Sequence, residues 1–319
     1  MLNWIVIGIG DIAVRRVIPA IQAEPRSRLY GLVTRDPAKA AAYGAETKAW
    51  TNLDDALSDP AVNTVYIATP VFLHAPQTTQ SLRAGKHVLC EKPMAMNEAE
   101  ARSMVQVAEE RQRTLGVAYY RRSYPKVQRA KQLLEGGAIG KPLLAELTSH
   151  AWFDPKQGER SWLIDPAKAG GGPLFDVASH RIDVLNFFFG QPLRVSAQLS
   201  NAVHHYAVED NATVMIEYAG GVRGIVDVRW NSQIKRDECR IRGTDGEMEL
   251  TPLNGPELAY PGADENLPPH ANLHYPMVEN FVDAVLEKTP LLSSGASSLW
   301  TEWVIEQARK DQGSSLRSE

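Results

Sequence analysis

The feature that most restricts this chain lies in its first thirteen residues. Gly8-Ile9-Gly10-Asp11-Ile12-Ala13 follows an apolar run, Trp4 to Gly8, and precedes a helix-forming stretch, Arg15 to Ala23. A G-x-G-x-x-[GA] string is common by itself, but between a strand and a helix it has a physical reading. Gly8 permits the tight turn, Gly10 lets the backbone approach a pyrophosphate, and Ala13 allows close packing of helix on strand. Amides in the first helical turn have no partner inside the helix and attract phosphate. Asp11 puts a carboxylate beside that anion, so its side chain is expected to point away or to cap the helix. Gly8, Gly10, Asp11 and Ile12 are the first candidate cofactor contacts.

Beyond that turn, short β-rich runs alternate with helix-like segments. Leu29–Thr34, Thr64–Ala68, His87–Cys90 and Thr114–Ala118 read as strands, and Pro37–Ala42, Leu53–Leu57, Pro76–Ala84 and Glu98–Gln112 as helices. Strict alternation predicts an α/β fold, a doubly wound parallel sheet of the Rossmann type over residues 1–120. After Tyr120 the pattern changes to a helix, Tyr124–Glu135, a strand, Leu143–His150, and a loop up to Gly172. Period-two runs then include Asn211–Tyr218, Val222–Trp230 and Glu238–Arg242. A second, α+β domain with an open, largely antiparallel mixed sheet is expected over 121–319. Asn254–Pro276 reads as loop, Met277–Leu286 and Ser297–Lys310 as helices, and Gly313–Glu319 as a disordered tail.

Composition excludes several partners. A chain of 319 residues with net charge −4 has no global positive field for a nucleic acid or an anionic membrane. The first apolar run lacks a basic flank and stops at Asp11, which suits neither a signal peptide nor a membrane span, so a cytoplasmic protein is expected. Cys90 and Cys239 lie far apart with no His or Cys at ligand spacing, so no metal site is indicated and both read as buried, reduced thiols.

Thr34-Arg35-Asp36 ends the second strand, where a dinucleotide's adenosine ribose is read. A small residue with Arg accepts a 2′-phosphate, whereas an acid bonds the ribose hydroxyls. Thr34 and Arg35 favour NADP(H), and Asp36 leaves NAD(H) open. Glu91-Lys92-Pro93 stands at the carboxyl end of the His87–Cys90 strand, where α/β sheets bind ligands. A lysine there can hydrogen-bond a developing alkoxide or shuttle its proton. On the predicted helix after Gly170-Gly171-Gly172, a glycine run read as a flexible entrance, Asp176 and His180 are four apart and share one face. An imidazole titrating near neutrality suits proton transfer.

These blocks, together with Ile67-Ala68-Thr69-Pro70, His74 and the run Ala84 to Pro93, resemble the glucose–fructose oxidoreductase, inositol dehydrogenase and MocA family. The resemblance is ordered and spans nearly the whole chain, although Val71 and Ala178 stand where Asn and Gly are frequent. It implies an NAD(P)-dependent oxidoreductase acting on a sugar, cyclitol or related polyol. It implies that Ala68, Thr69, Pro70, His74, Glu91 and Lys92 lie at the cofactor, with Lys92 beside the reacting carbon. His180 would be the general acid/base, with Asp176 orienting it and the substrate hydroxyls. Tyr120, Arg121 and Trp162 are implied as substrate contacts, although a salt bridge for the arginine and plain packing for the tryptophan explain them as well. Relatives pair through the second sheet, so a homodimer or homotetramer is expected. A non-catalytic NAD(P)-binding sensor and redox-assisted glycoside cleavage are the alternatives; retained Lys92, Asp176 and His180 argue against the first, and the second needs a further base.

Overall fold

The structure is a computed structural model that describes residues 1–44, 46–155 and 160–315, with side chains through Asp311. The chain divides into two compact units, Met1–Tyr120 with His270–Leu299, and Arg121–Pro269 with Trp300 onward.

The first unit holds β1 (Leu2–Ile7), β2 (Ser27–Val33), β3 (Lys48–Trp50), β4 (Thr64–Ile67), β5 (His87–Cys90) and β6 (Leu115–Val117). All pair in parallel in the order β3-β2-β1-β4-β5-β6. Strand order reverses at β1 and β4, so the crevice outside their carboxyl ends is the natural ligand position. Parallel strands covered on both faces are apolar on both, and β4 is buried throughout. Ile5, Ile7, Val65 and Ile67 pack on one face with Ala101, Met104 and Ala108 of the helix Glu98–Glu110.

Trp4, Val6, Tyr66 and Leu89 pack on the opposite face with Ile18 and Ile21, and with Met277, Val278, Phe281, Val282 and Val285 of the helix Tyr275–Leu286. The Trp4 and Phe281 ring centroids are 5.4 Å apart. That apolar stripe explains why the expected second domain, 121–319, is interrupted: residues 270–299 return to the first unit to cover its sheet.

The second unit holds β7 (Pro142–Trp152), β8 (Pro192–Ser200), β9 (Asn211–Tyr218), β10 (Arg223–Arg229), β11 (Asn231–Gly243), β12 (Glu247–Glu249), β13 (Glu257–Tyr260) and β14 (Ala263–Asn266). Their order is β14-β13-β12-β11-β7-β10-β9-β8. β10 and β7 pair in parallel and the other neighbours antiparallel, giving the open mixed sheet expected. Ala145, Leu147, Val226, Val228 and Ile241 are buried. The alternate positions Glu146, Arg240 and Arg242 carry cross-strand ion pairs, and Asp227 pairs with Arg229 along its own strand.

β13 and β14 fall in a stretch read as loop; Pro261-Gly262 between them, with Gly262 at φ +88°, makes the hairpin turn. Residues 313–315 of the expected disordered tail lie within the helix Gly295–Ser315, and 316–319 lie outside the described residues. Among the described residues no helix is long and apolar enough to cross a membrane. Cys90 and Cys239 are both buried and form no disulfide.

Candidate active site

In the first unit, the turn after β1 is shaped by close approach. Gly8 has φ +86°, and a Cβ there would lie 2.7 Å from the Ala68 carbonyl oxygen, so only glycine lets the ends of β1 and β4 meet. Gly10 is exposed and a Cβ on it would meet nothing within 4 Å, which leaves its backbone open to a ligand. The following helix opens with a wide, π-type stretch over Ala13–Val17 and continues as α-helix over Ile18–Ala23. Asp11 turns along it to pair with Arg15 at 2.6 Å, both 75% exposed, which is the turned-away alternative and not an N-cap. An open Gly10 at a strand reversal, facing a helix start with unpaired amides, fits a dinucleotide pyrophosphate.

At the end of β2, Asp36 donates its amide to Thr34 Oγ1 at 3.2 Å. Its carboxylate caps the 3-10 turn Pro37–Tyr43 by accepting from the Ala38 amide at 3.1 Å. Arg35 is exposed.

Beyond β5 the chain builds a buried polar knot. Glu91 accepts from the Tyr66 hydroxyl at 2.7 Å and, through its other oxygen, from the Lys92 amide at 3.2 Å. His274 Nε2 lies 3.7 Å from Glu91 Oε1, and its ring is 4.7 Å from that of Tyr120. Burial alone pushes the Glu91 carboxyl up, but His274, Tyr66 and Lys92 outweigh it and hold it below the usual carboxylate range. Glu91 is thus an anion fixed beneath a half-buried Lys92. His74 is 1% exposed, and its ring bridges the carbonyls of Pro93 and Thr69, each at 2.8 Å. Burial pushes its imidazole down. It therefore ties the loop after β4 to the loop after β5. Tyr66 and His274 were invisible as site residues: one looks like any aromatic in an apolar strand, and the other sits in a Pro-rich stretch far along the chain.

In the second unit, the glycine run is buried and tightly constrained, contrary to its reading as flexible. A Cβ on Gly170 or Gly171 would strike the Phe175 ring, and one on Gly172 would lie 2.0 Å from the Glu209 carbonyl oxygen. The helix behind it is π-type over Leu174–Ala178 and α-helical over Ser179–Phe189. Both predicted functional blocks thus carry a wide helical turn, a feature frequent at functional sites. Asp176 is partly exposed, with Arg160 3.8 Å from its carboxylate, whereas His180 is 7% exposed.

The rest of this helix is anchored by charge. Arg122 forks onto Asp183 with hydrogen bonds of 2.8 and 2.5 Å, inside the core. Arg181 pairs with Asp237 at 3.0 Å. Arg121, 7% exposed, donates to Asn254 at 3.1 Å, and Asn254 donates to Asp237 at 2.8 Å. Arg121 is thus tied through Asn254 to Asp237. Trp162 packs on the cluster of Leu163, Val208 and Trp230, the packing alternative. Tyr120 is half-buried against His274.

Residues 2–119 match a family model described as oxidoreductase family, NAD-binding Rossmann fold, and residues 127–249 match the GFO/IDH/MocA C-terminal domain. The chain is 28% identical to 1,5-anhydro-D-fructose reductase of Ensifer adhaerens, over 94% of this chain and 93% of that one. It is 30% identical to trans-1,2-dihydrobenzene-1,2-diol dehydrogenase of Mus musculus, over 98% and 97%. A crystal structure of GenD2 from gentamicin A biosynthesis in complex with NAD superposes with a TM-score of 0.84 at 26% identity, covering 98% and 94%.

Proposed function

The chain belongs to the GFO/IDH/MocA oxidoreductase family, and from that premise we propose that it interconverts a C–OH and a C=O of a sugar, cyclitol or related polyol, with Lys92 and His180 in proton transfer. The observation that carries this reading is Lys92 at the carboxyl end of β5, its backbone tied to the buried anion of Glu91. Sugar-acting names among the relatives, such as the 1,5-anhydro-D-fructose reductase, support the substrate class.

Gly8, Gly10, Ile12 and the turn Ala68–Pro70 would hold the dinucleotide. When bound, its nicotinamide exchanges a hydride with the substrate carbon. In oxidation the His180 imidazole takes the hydroxyl proton while the Lys92 ammonium hydrogen-bonds the oxygen on which negative charge develops; reduction reverses both steps. Asp176, four residues before His180, orients the substrate hydroxyls and the imidazole. NADP(H) is the favoured form: Asp36 is engaged as a helix cap, which leaves Thr34 and the exposed Arg35 to meet a 2′-phosphate. Assembly into a homodimer or homotetramer through the ion-paired face of the second sheet completes the proposal.

The test is nicotinamide absorbance with NADPH and NADH against a panel of polyols and ketoses. Turnover with at least one member supports the proposal. Tight dinucleotide binding without turnover points to a non-catalytic role, and activity that never releases its dinucleotide points to redox-assisted cleavage.

A further inference from the structure

The helix that carries Asp176 and His180 begins at a carboxylate supplied from elsewhere in the chain. Glu209, just before β9, accepts hydrogen bonds through one oxygen from the Gly172 amide at 2.9 Å and the Leu174 amide at 3.0 Å. These amides lie at the mouth of the helix, where no carbonyl precedes them in the helical pattern and the N-cap residue Pro173 supplies no side-chain acceptor. The Glu209 backbone presses on the same point, since its carbonyl oxygen occupies the space where a Gly172 Cβ would stand. Phe175 fills the gap beneath Gly170 and Gly171, with the Arg309 guanidinium over its ring at 5.5 Å. A small cavity of about 170 Å³ remains beside these groups, lined by Leu174, Phe175, Glu209 and Arg309 among others.

We propose that Glu209 is a positioning residue: its two hydrogen bonds fix the start of the wide helical turn and so the placement of Asp176 and His180. The inference rests on the reading of those two residues as the proton-transfer pair. In an α-helical or π-helical start, releasing two amides lets the first turn unwind or slip, and Asp176 lies in that turn. A displacement of about 1 Å at a reacting group costs up to about a hundredfold in rate. Gln keeps the accepting oxygen at the same reach, whereas Ala removes it and Asp withdraws it by one methylene.

The experiment compares Glu209→Gln, Glu209→Asp and Glu209→Ala by steady-state kinetics and by the NMR titration midpoint of the His180 ring, assigned with His180→Asn. The expected result is a fall in kcat of about tenfold to a hundredfold for Ala, with the dinucleotide KM unchanged and with Gln close to the parent enzyme. The His180 midpoint should move by about half a pH unit or more in Ala and stay in place in Gln. Should Ala fail to fold, Asp carries the same comparison. Parent-like kcat and His180 midpoint in Ala or Asp, or equal losses in Gln and Ala, overturn the proposal. If the parent protein turns over no polyol, the functional reading fails by itself, and the His180 midpoint alone still decides the positioning claim.

Discussion

Tyr66 donates to Glu91 over 2.7 Å inside the first unit, one residue before Lys92. This places a hydrogen-bonded anion directly under the lysine's backbone. Tyr66→Phe leaves Glu91 buried with one donor fewer, at a cost of about 1–3 kcal/mol in stability. A lower urea midpoint with unchanged slope is the expected result; an unchanged midpoint contradicts the arrangement.

Asp210 gives a pH dependence with a definite sign. Its carboxylate accepts from the amides of Ala202, Val203 and His204 at 2.8–3.0 Å. Although burial pushes it up, these amides and Asn211 bring it down to about 2. A carboxyl depressed on folding stabilises the native state above its unfolded value, near 4, and loses that contribution as pH falls toward 2. The contribution is about 2 kcal/mol. In Asp210→Asn the difference from the parent in urea stability should be full at pH 6 and shrink steadily below about pH 4.

The Arg122–Asp183 pair predicts a larger loss. Asp183 is 1% exposed; burial pushes its carboxyl up and the Arg122 fork opposes this. Asp183→Asn strands the guanidinium, which costs about 3–5 kcal/mol. Denaturant titration should show a loss well beyond that of Tyr66→Phe.

Arg35→Ala tests the cofactor reading. Loss of a charge-assisted contact to a 2′-phosphate should weaken NADPH binding by about tenfold or more and leave NADH within about twofold. Equal small effects on both, read by fluorescence titration, would remove the reason to favour NADP(H).

Most of the fold was legible because its signals are local. Gly8 announces a turn that only glycine can make, and the period-two runs of β9 and β10 announce a half-buried sheet. What stayed hidden depends on distance along the chain. The sequence predicts a helix over Met277–Leu286, but nothing in its stripe says which sheet it covers. Pro261-Gly262 looked like loop chemistry and proved to be the turn of a hairpin. Within the candidate site, Lys92, Asp176 and His180 stood out by motif and spacing. Tyr66, His274 and Glu209 did not, since each acts by burial against a partner far away in sequence. The glycine run misled for a related reason: three glycines signal freedom in isolation, but here Phe175 and Glu209 take up the space that side chains would need.

The most direct test of the central claim is the single-turnover rate of nicotinamide oxidation or reduction in Lys92→Ala and His180→Ala, with the best substrate of the polyol and ketose panel. The account predicts losses of about 10²–10⁴-fold in each, with dinucleotide affinity changed by less than about tenfold. Rates within a few-fold of the parent protein in either variant would contradict it.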